Sequence, residues 1–188
     1  TMLLHLVPGH EGGQFPMLQQ FDLLDLMAGA ETVEEVHEGN AALQCGKMGY
    51  ALAKMAKTMG ADVTLISGKT EIRPPHGVST VFVESAEDMY NAVTERAACA
   101  DIIVMSAAVA DYTPAEYSDQ KIKKSEGDNT LVLKRTKDIL AYIGENKKDG
   151  QVICGFSMET QNMLENSRDK LVRKNVDMIC ANNLKVAG

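Results

Sequence analysis

Two hydrophobic periods alternate along most of this chain. Met48, Leu52, Met55 and Met59 recur at helical spacing, and Gly60 supplies a natural stop. Asp62–Ile66 reads as a short apolar strand closed by Ser67-Gly68, followed by an Arg73–Gly77 loop. Ser79–Val83 predicts a strand and Ala86–Ala98 a helix. Asp101–Met105 is a near-continuous apolar run, as expected of a strand buried on both faces. Ser106–Lys124 has no clear period and reads as a long loop. Thr130–Lys134 alternates like a half-buried strand. Helices are expected over Lys137–Asn146 and Gln161–Lys174, and strands over Gln151–Phe156 and Asp177–Ala181. The first quarter is less regular. Thr1–Val7 is an apolar run ended by Pro8-Gly9, and helical spacing covers Phe15–Ala28 and Glu31–His37 before a break at Gly39-Asn40.

Strands alternating with helices of this length predict an α/β fold, with a mostly parallel sheet covered by helices on both faces. Such sheets bind ligands beyond the C-terminal ends of their strands, where the strand order reverses. Residues that follow strands are therefore the first candidates for chemistry. A chain of 188 residues, 45% of them apolar, is long enough for one domain with a sizeable core. No apolar run approaches the roughly 18 residues of a membrane helix, and no basic-then-apolar leader opens the chain. A cytoplasmic location is expected. Cys45, Cys99, Cys154 and Cys180 form no CxxC pair and read as reduced core thiols.

Charge divides the chain. Residues 1–45 hold seven acids (Glu11, Asp22, Asp25, Glu31, Glu34, Glu35, Glu38) and no Lys or Arg, while the other 19 acids balance all 19 bases. The net charge of −7 thus sits in an acidic segment, 1–45, ahead of a neutral domain, 46–188. Without a basic excess, generic nucleic-acid binding is disfavoured. A local basic pocket for one small phosphate ligand is still compatible.

Several motifs fall at strand ends or helix starts. Gly46-Lys47-Met48-Gly49 opens a helix, where glycines let a phosphate approach free backbone N–H groups; close helix–sheet packing is the plainer alternative. A dinucleotide site would want an acid after the next strand, and Ile66-Ser67-Gly68-Lys69 has none, which counts against an NAD(P)-dependent oxidoreductase. Ser106-Ala107-Ala108-Val109-Ala110-Asp111-Tyr112 follows the most apolar strand. Its small side chains leave room for a ligand, and Asp111 is placed to hold a ribose hydroxyl or a metal-bound phosphate, or is simply a solvated turn residue. Lys121-Ile122-Lys123-Lys124 would suit a triphosphate, although most lysine clusters are only solvated. Lys170 and Lys174 share a helix face, and Phe156 offers either a stacking ring or a core ring. His5, His10, His37 and His76 show no metal spacing, and no metal site is expected. No GxSxG elbow or GxxxxGK[ST] loop is present.

As a set, Gly46–Gly49, Ala107–Tyr112, Lys121–Lys124, Gly155-Phe156 with Glu159-Thr160, and Arg173-Lys174-Asn175 with Ala181-Asn182 resemble phosphopantothenoylcysteine synthetase. That family is the ligase domain of the bacterial bifunctional coenzyme A biosynthesis protein, and the order and spacing fit over residues 46–188. The resemblance implies a Rossmann-like domain that dimerises and uses CTP with Mg2+ to join 4′-phosphopantothenate to L-cysteine through an acyl-cytidylate. It implies a catalytic role for Lys121 at the triphosphate. It implies nucleotide contacts from Met105, Ser106, Ala107 and Asp111, from Thr136-Lys137-Asp138-Ile139, and from Phe156, Lys170 and Lys174. A flavin-dependent decarboxylase domain is the family's usual companion.

The resemblance stops where the charge breaks. The family's Ser-Asn-His-Ser-Ser run before Gly-Lys-Met-Gly is replaced by Asn40-Ala41-Ala42-Leu43-Gln44-Cys45, so the family's catalytic asparagine falls on Ala42. Lys137 stands where that family usually has proline, and its Gly-rich flap has no counterpart before Gly188. Met2–Val7 could serve as the first strand, but at an unfamiliar distance from Gly46. The alternative to an active ligase is therefore a non-catalytic module of the same fold that binds nucleotide or dimerises.

Overall fold

The structure, a computed structural model, describes residues 2–7, 46–116, 130–159 and 161–183. Its elements in chain order are β1 (Met2–Val7), α1 (Lys47–Thr58), β2 (Asp62–Ser67), β3 (Ser79–Phe82), α2 (Ala86–Ala97) and β4 (Ile102–Met105). They continue with β5 (Tyr112–Pro114), β6 (Leu133–Arg135), α3 (Ile139–Glu145), β7 (Val152–Glu159), α4 (Met163–Arg173) and β8 (Met178–Asn183). The helices expected over Phe15–Ala28 and Glu31–His37 lie outside the described residues.

Six strands form one sheet in the order β3-β2-β1-β4-β7-β8. The pairs β2–β3, β4–β7 and β7–β8 are parallel, as strand–helix alternation requires. The central strand departs from that rule. β1 runs antiparallel to both β2 and β4, with Leu3 opposite Ile66 on one side and Met105 on the other. Alternation fixes direction only across a single strand–helix–strand unit, and residues 8–45 intervene between β1 and α1.

Burial alternates with period two, which places helices on both faces. Val63, Leu65, Ile102, Val104 and Cys154 meet Leu52, Ala53 and Ala56 of α1. Their sequence neighbours Ile66, Ile103, Met105 and Ile153 face the other way, against Met89 and Val93 of α2 and Ile139, Leu140 and Ile143 of α3, with Leu171 of α4 at the margin. β4 is buried along its whole length, as its sequence demanded. α2 begins with a capping box in which Asp88 N–H donates to Ser85 Oγ and Ser85 N–H to Asp88 Oδ2.

Two expectations over 106–135 are corrected. Tyr112–Pro114 is a strand within the stretch read as loop, and the second strand is Leu133–Arg135 rather than a half-buried Thr130–Lys134. They pair with each other as an antiparallel ribbon, Tyr112 opposite Arg135, and join no other strand among the described residues. The alternation of 130–134 buries nothing, since these residues and β6 are exposed throughout.

The thiols follow strand position. Cys154 is buried, Cys180 partly buried and Cys99 exposed, so the core reading fails for Cys99 in the turn after α2; none of the three forms a disulfide among the described residues. The Cys154 and Cys180 sulfurs lie 3.6 Å apart on adjacent strands. The Cys180 thiol and burial together push the Cys154 thiol far above its ordinary value.

Candidate functional site

Most of the candidate residues gather at the C-terminal edge of the β4–β7–β8 half of the sheet. Met105 ends β4 and pairs in register with Gly155, so Ser106 and Ala107 leave the sheet beside Phe156. The bare backbone of Gly155 leaves room for neighbouring side chains. A Cβ on Gly155 would lie 2.9 Å from Leu140 Cδ2 and 3.0 Å from Ile179 Cδ1. Phe156 is half-buried among the residues packed with α1.

The stretch 136–139 crosses below the ribbon. Thr136 N–H donates to the Asp111 carbonyl at 2.9 Å, and Thr136 Oγ1 donates to the Ala110 carbonyl at 2.6 Å. Two segments 25 residues apart in sequence are thereby tied together, with the Asp111 side chain exposed at the junction. Asp138 is the N-cap of α3 and accepts from Ala141 N–H at 2.9 Å. Ile139, its neighbour, is buried in the core. The Lys137 ammonium turns outward to α2, donating to Glu87 Oε1 at 2.7 Å and lying 4.4 Å from the centre of the Tyr90 ring. Glu87 holds the Lys137 proton and raises its pKa.

The two helix lysines close the site from α4. Lys170 Nζ donates to the Phe156 carbonyl at 2.7 Å. Lys174, the C-cap of α4, pairs with Asp138. Burial pushes the Asp138 carboxyl up, but the Lys174 bond and the Ala141 N–H outweigh it and leave its pKa lowered. Lys170, Lys174, Phe156 and Asp138 are thus linked through direct contacts at one edge. Lys121 lies outside the described residues, as do Asn40 and Ala42.

Three further residues position this edge; Gly155 and Asn175 appear only as parts of sequence motifs, and Gly144 in none. A Cβ on Gly144 would sit 1.8 Å from the Lys174 carbonyl oxygen, so α3 touches the end of α4 backbone to backbone. Asn175 adopts a left-handed φ of 50° and donates from Nδ2 to the Gly144 carbonyl at 2.8 Å. Gly155 is the third. A glycine inside a short helix and an asparagine just past a helix end are the signals that could have marked the first two.

A sheet with helices on both faces and polar residues converging beyond its strand ends defines a Rossmann-like α/β domain. The family of DNA/pantothenate metabolism flavoprotein C-terminal domains matches residues 37–188, and the chain belongs to it. The "Coenzyme A biosynthesis bifunctional protein CoaBC" of Vibrio cholerae is 46% identical over 145 residues, covering 76% of this chain and 36% of that one. Its Bacillus subtilis namesake is 48% identical over 144 residues, covering 76% and 35%. A protein named cysteine/cysteine sulfinic acid decarboxylase, from an unknown prokaryotic organism, is 44% identical over 144 residues, covering 76% and 40%. The chain therefore spans about a third of the length of the curated relatives it matches. Among solved structures, the C-terminal domain of a CoaBC protein is 44% identical, with a TM-score of 0.64 over 73% of this chain and 64% of that one.

Proposed function

We propose that this chain carries a CTP-dependent phosphopantothenate–cysteine ligase domain of coenzyme A biosynthesis. The observation that carries the reading is the family membership of residues 37–188, combined with the contacts of Lys170 with the Phe156 carbonyl and of Lys174 with Asp138. In the proposed reaction a carboxylate oxygen of 4′-phosphopantothenate attacks the α-phosphorus of CTP, and the bond to pyrophosphate breaks. The amine of L-cysteine then attacks the acyl carbon of the cytidylate, loses a proton and displaces CMP. Both steps need charge neutralised on phosphate oxygens and the partners held in line. Lys170 and Lys174 supply cationic charge at this edge, Lys121 is proposed to meet the triphosphate, and Phe156 to lie against the nucleotide.

Mg2+ fits this arrangement as an ion carried largely by phosphate oxygens. Among the described residues no three His, Cys, Asp or Glu side chains converge on a point, and Mg2+ on nucleotides commonly takes only one or two protein carboxylates. Asp111, exposed at the ribbon junction, is the carboxylate proposed to assist it. Homodimerisation is supported by the ribbon, where Leu131, Val132 and Leu133 are each more than half exposed. No helix among the described residues is long and apolar enough to cross a membrane, and a cytoplasmic site of action suits the reading. A flavin-dependent decarboxylase domain is the proposed companion.

A second reading rests on Ala42, which stands where the family's asparagine would: a module that binds CTP, or activates the acid, without completing ligation. Pyrophosphate release from CTP, measured with and without 4′-phosphopantothenate and L-cysteine, separates the two. Release that requires the acid, followed by ligated product on adding cysteine, supports the ligase. Acid-dependent release without product supports a stalled module. No release with CTP still bound supports a binding module.

A further inference from the structure

A cavity of about 540 Å³ lies between α1 and the segment after β2, and of the candidate residues described only Lys47, from the Gly46–Gly49 motif, lines it. Lys47, Lys54 and Lys57 of α1 line it with Arg73 and His76, and among the described residues no Asp or Glu contributes to its wall. Within the described residues, none of these five side chains enters an ion pair or side-chain hydrogen bond. Some cations elsewhere in the fold are paired, as with Lys137 and Glu87, Lys147 and Asp177, and Lys174 and Asp138. Four permanent positive charges left facing one another in a chain of net charge −7 call for an anion.

The cavity is also pre-shaped. Tyr50 is buried beneath it, its hydroxyl 3.0 Å from Ser67 Oγ and accepting from Thr70 Oγ1 at 3.1 Å. That chain ties the floor on α1 to the wall opposite. Gly46 and Gly77 hold left-handed φ values of +101° and +77° at its two ends, and the Lys57 stem packs where a Gly77 Cβ would point. Tyr50, Ile72 and Pro75 add apolar surface beneath the cationic rim.

We propose that this cavity is a second anion site, which takes a small phosphomonoester with an apolar arm. The phosphate meets the Lys54 and Arg73 rim, and the arm lies on Tyr50, Ile72 and Pro75. The site sits on the α1 face of the sheet, whereas Asp138 and Lys174 belong to elements on the opposite face. It is independent of the ligase reading.

Calorimetry on the full chain at low salt tests it, with phenyl phosphate and inorganic phosphate as probes. Phenyl phosphate binding should survive Lys170→Gln/Lys174→Gln and weaken about tenfold or more in Lys54→Gln/Arg73→Gln. Lys54→Arg, which keeps the charge, should retain it, and inorganic phosphate should bind more weakly for want of the arm. Lys54 and Arg73 are exposed, so circular dichroism of the double variant should match the parent. The proposal is overturned by absence of binding, by binding indifferent to Lys54→Gln/Arg73→Gln, or by binding lost only with the α4 lysines. It is equally overturned if Glu34→Gln/Glu35→Gln/Glu38→Gln is needed before phenyl phosphate binds, since the groove would then be filled by the chain's own acidic segment.

Discussion

Lys174, at the C-terminal end of α4, reaches the carboxylate of Asp138, which caps the N-terminus of α3. One carboxylate closes a helix and holds a lysine that the family resemblance brings to the nucleotide. Asp138→Ala should cost about 1 kcal/mol, because the cap to Ala141 is lost with the ion pair. Lys174→Met should cost less, about 0.5 kcal/mol, since the Asp138 side chain is half exposed. Urea unfolding of both single variants and the double variant checks the order; a larger loss for Lys174→Met would refute it.

The same carboxylate sets an acid response. Its folded pKa is lowered, so its contribution is complete above the ordinary aspartate range near 4 and is lost as pH falls through the folded value. Unfolding midpoints measured from pH 6 down to about 3 should fall less steeply for Asp138→Asn than for the parent. Parallel slopes would remove Asp138 from the acid limb.

Gly144→Ala is expected to be the harshest small substitution in α3. Its Cβ would meet the Lys174 carbonyl oxygen, a backbone atom that cannot swing aside. A loss of about 3 kcal/mol is expected, against almost none for Glu145→Ala, the exposed next residue. Thermal melts of the two variants decide it.

Much of this edge was legible in sequence because its parts obey local rules. The apolar run ending at Met105, the small residues after it and the four-residue spacing of Lys170 and Lys174 each follow from a period. The direction of β1 was not legible, since no helix links it directly to a pairing partner. Nor were Gly144 and Asn175, whose roles arise only when α3 meets the end of α4. The exposed ribbon misled for a related reason: alternation records a preference for a pleated surface, not the presence of a layer to bury it.

The proposed roles separate Lys121 from Lys137. Lys121→Gln should abolish acid-dependent pyrophosphate release by a hundredfold or more if it meets developing charge on the triphosphate. Lys137→Gln breaks an exposed pair with Glu87 and a contact with Tyr90, so it should cost a few tenths of a kcal/mol and change release far less. Steady-state assays on both variants, with circular dichroism as the control for folding, make the comparison.

Thiol chemistry should follow burial. Iodoacetamide at pH 8 should label Cys99 in the folded protein, while Cys154, buried with its pKa pushed far up, should label only after denaturation. Peptide mass mapping before and after urea reads this directly. Labelling of Cys154 at the same rate as Cys99 would contradict the packing of β7.

The reversed strand β1 bears on how the molecule assembles. β2 with β3, and β4 with β7 and β8, form two parallel units. Among the described strands only β1 joins them, pairing Leu3 with both Ile66 and Met105. Such distant pairings carry the largest loop-closure entropy and form late in folding. β1 is then expected to be the seam sewn last. Weakening that seam should speed unfolding while leaving the folding rate nearly unchanged, so the lifetime of the folded domain is expected to depend on how well Met2–Val7 stays paired.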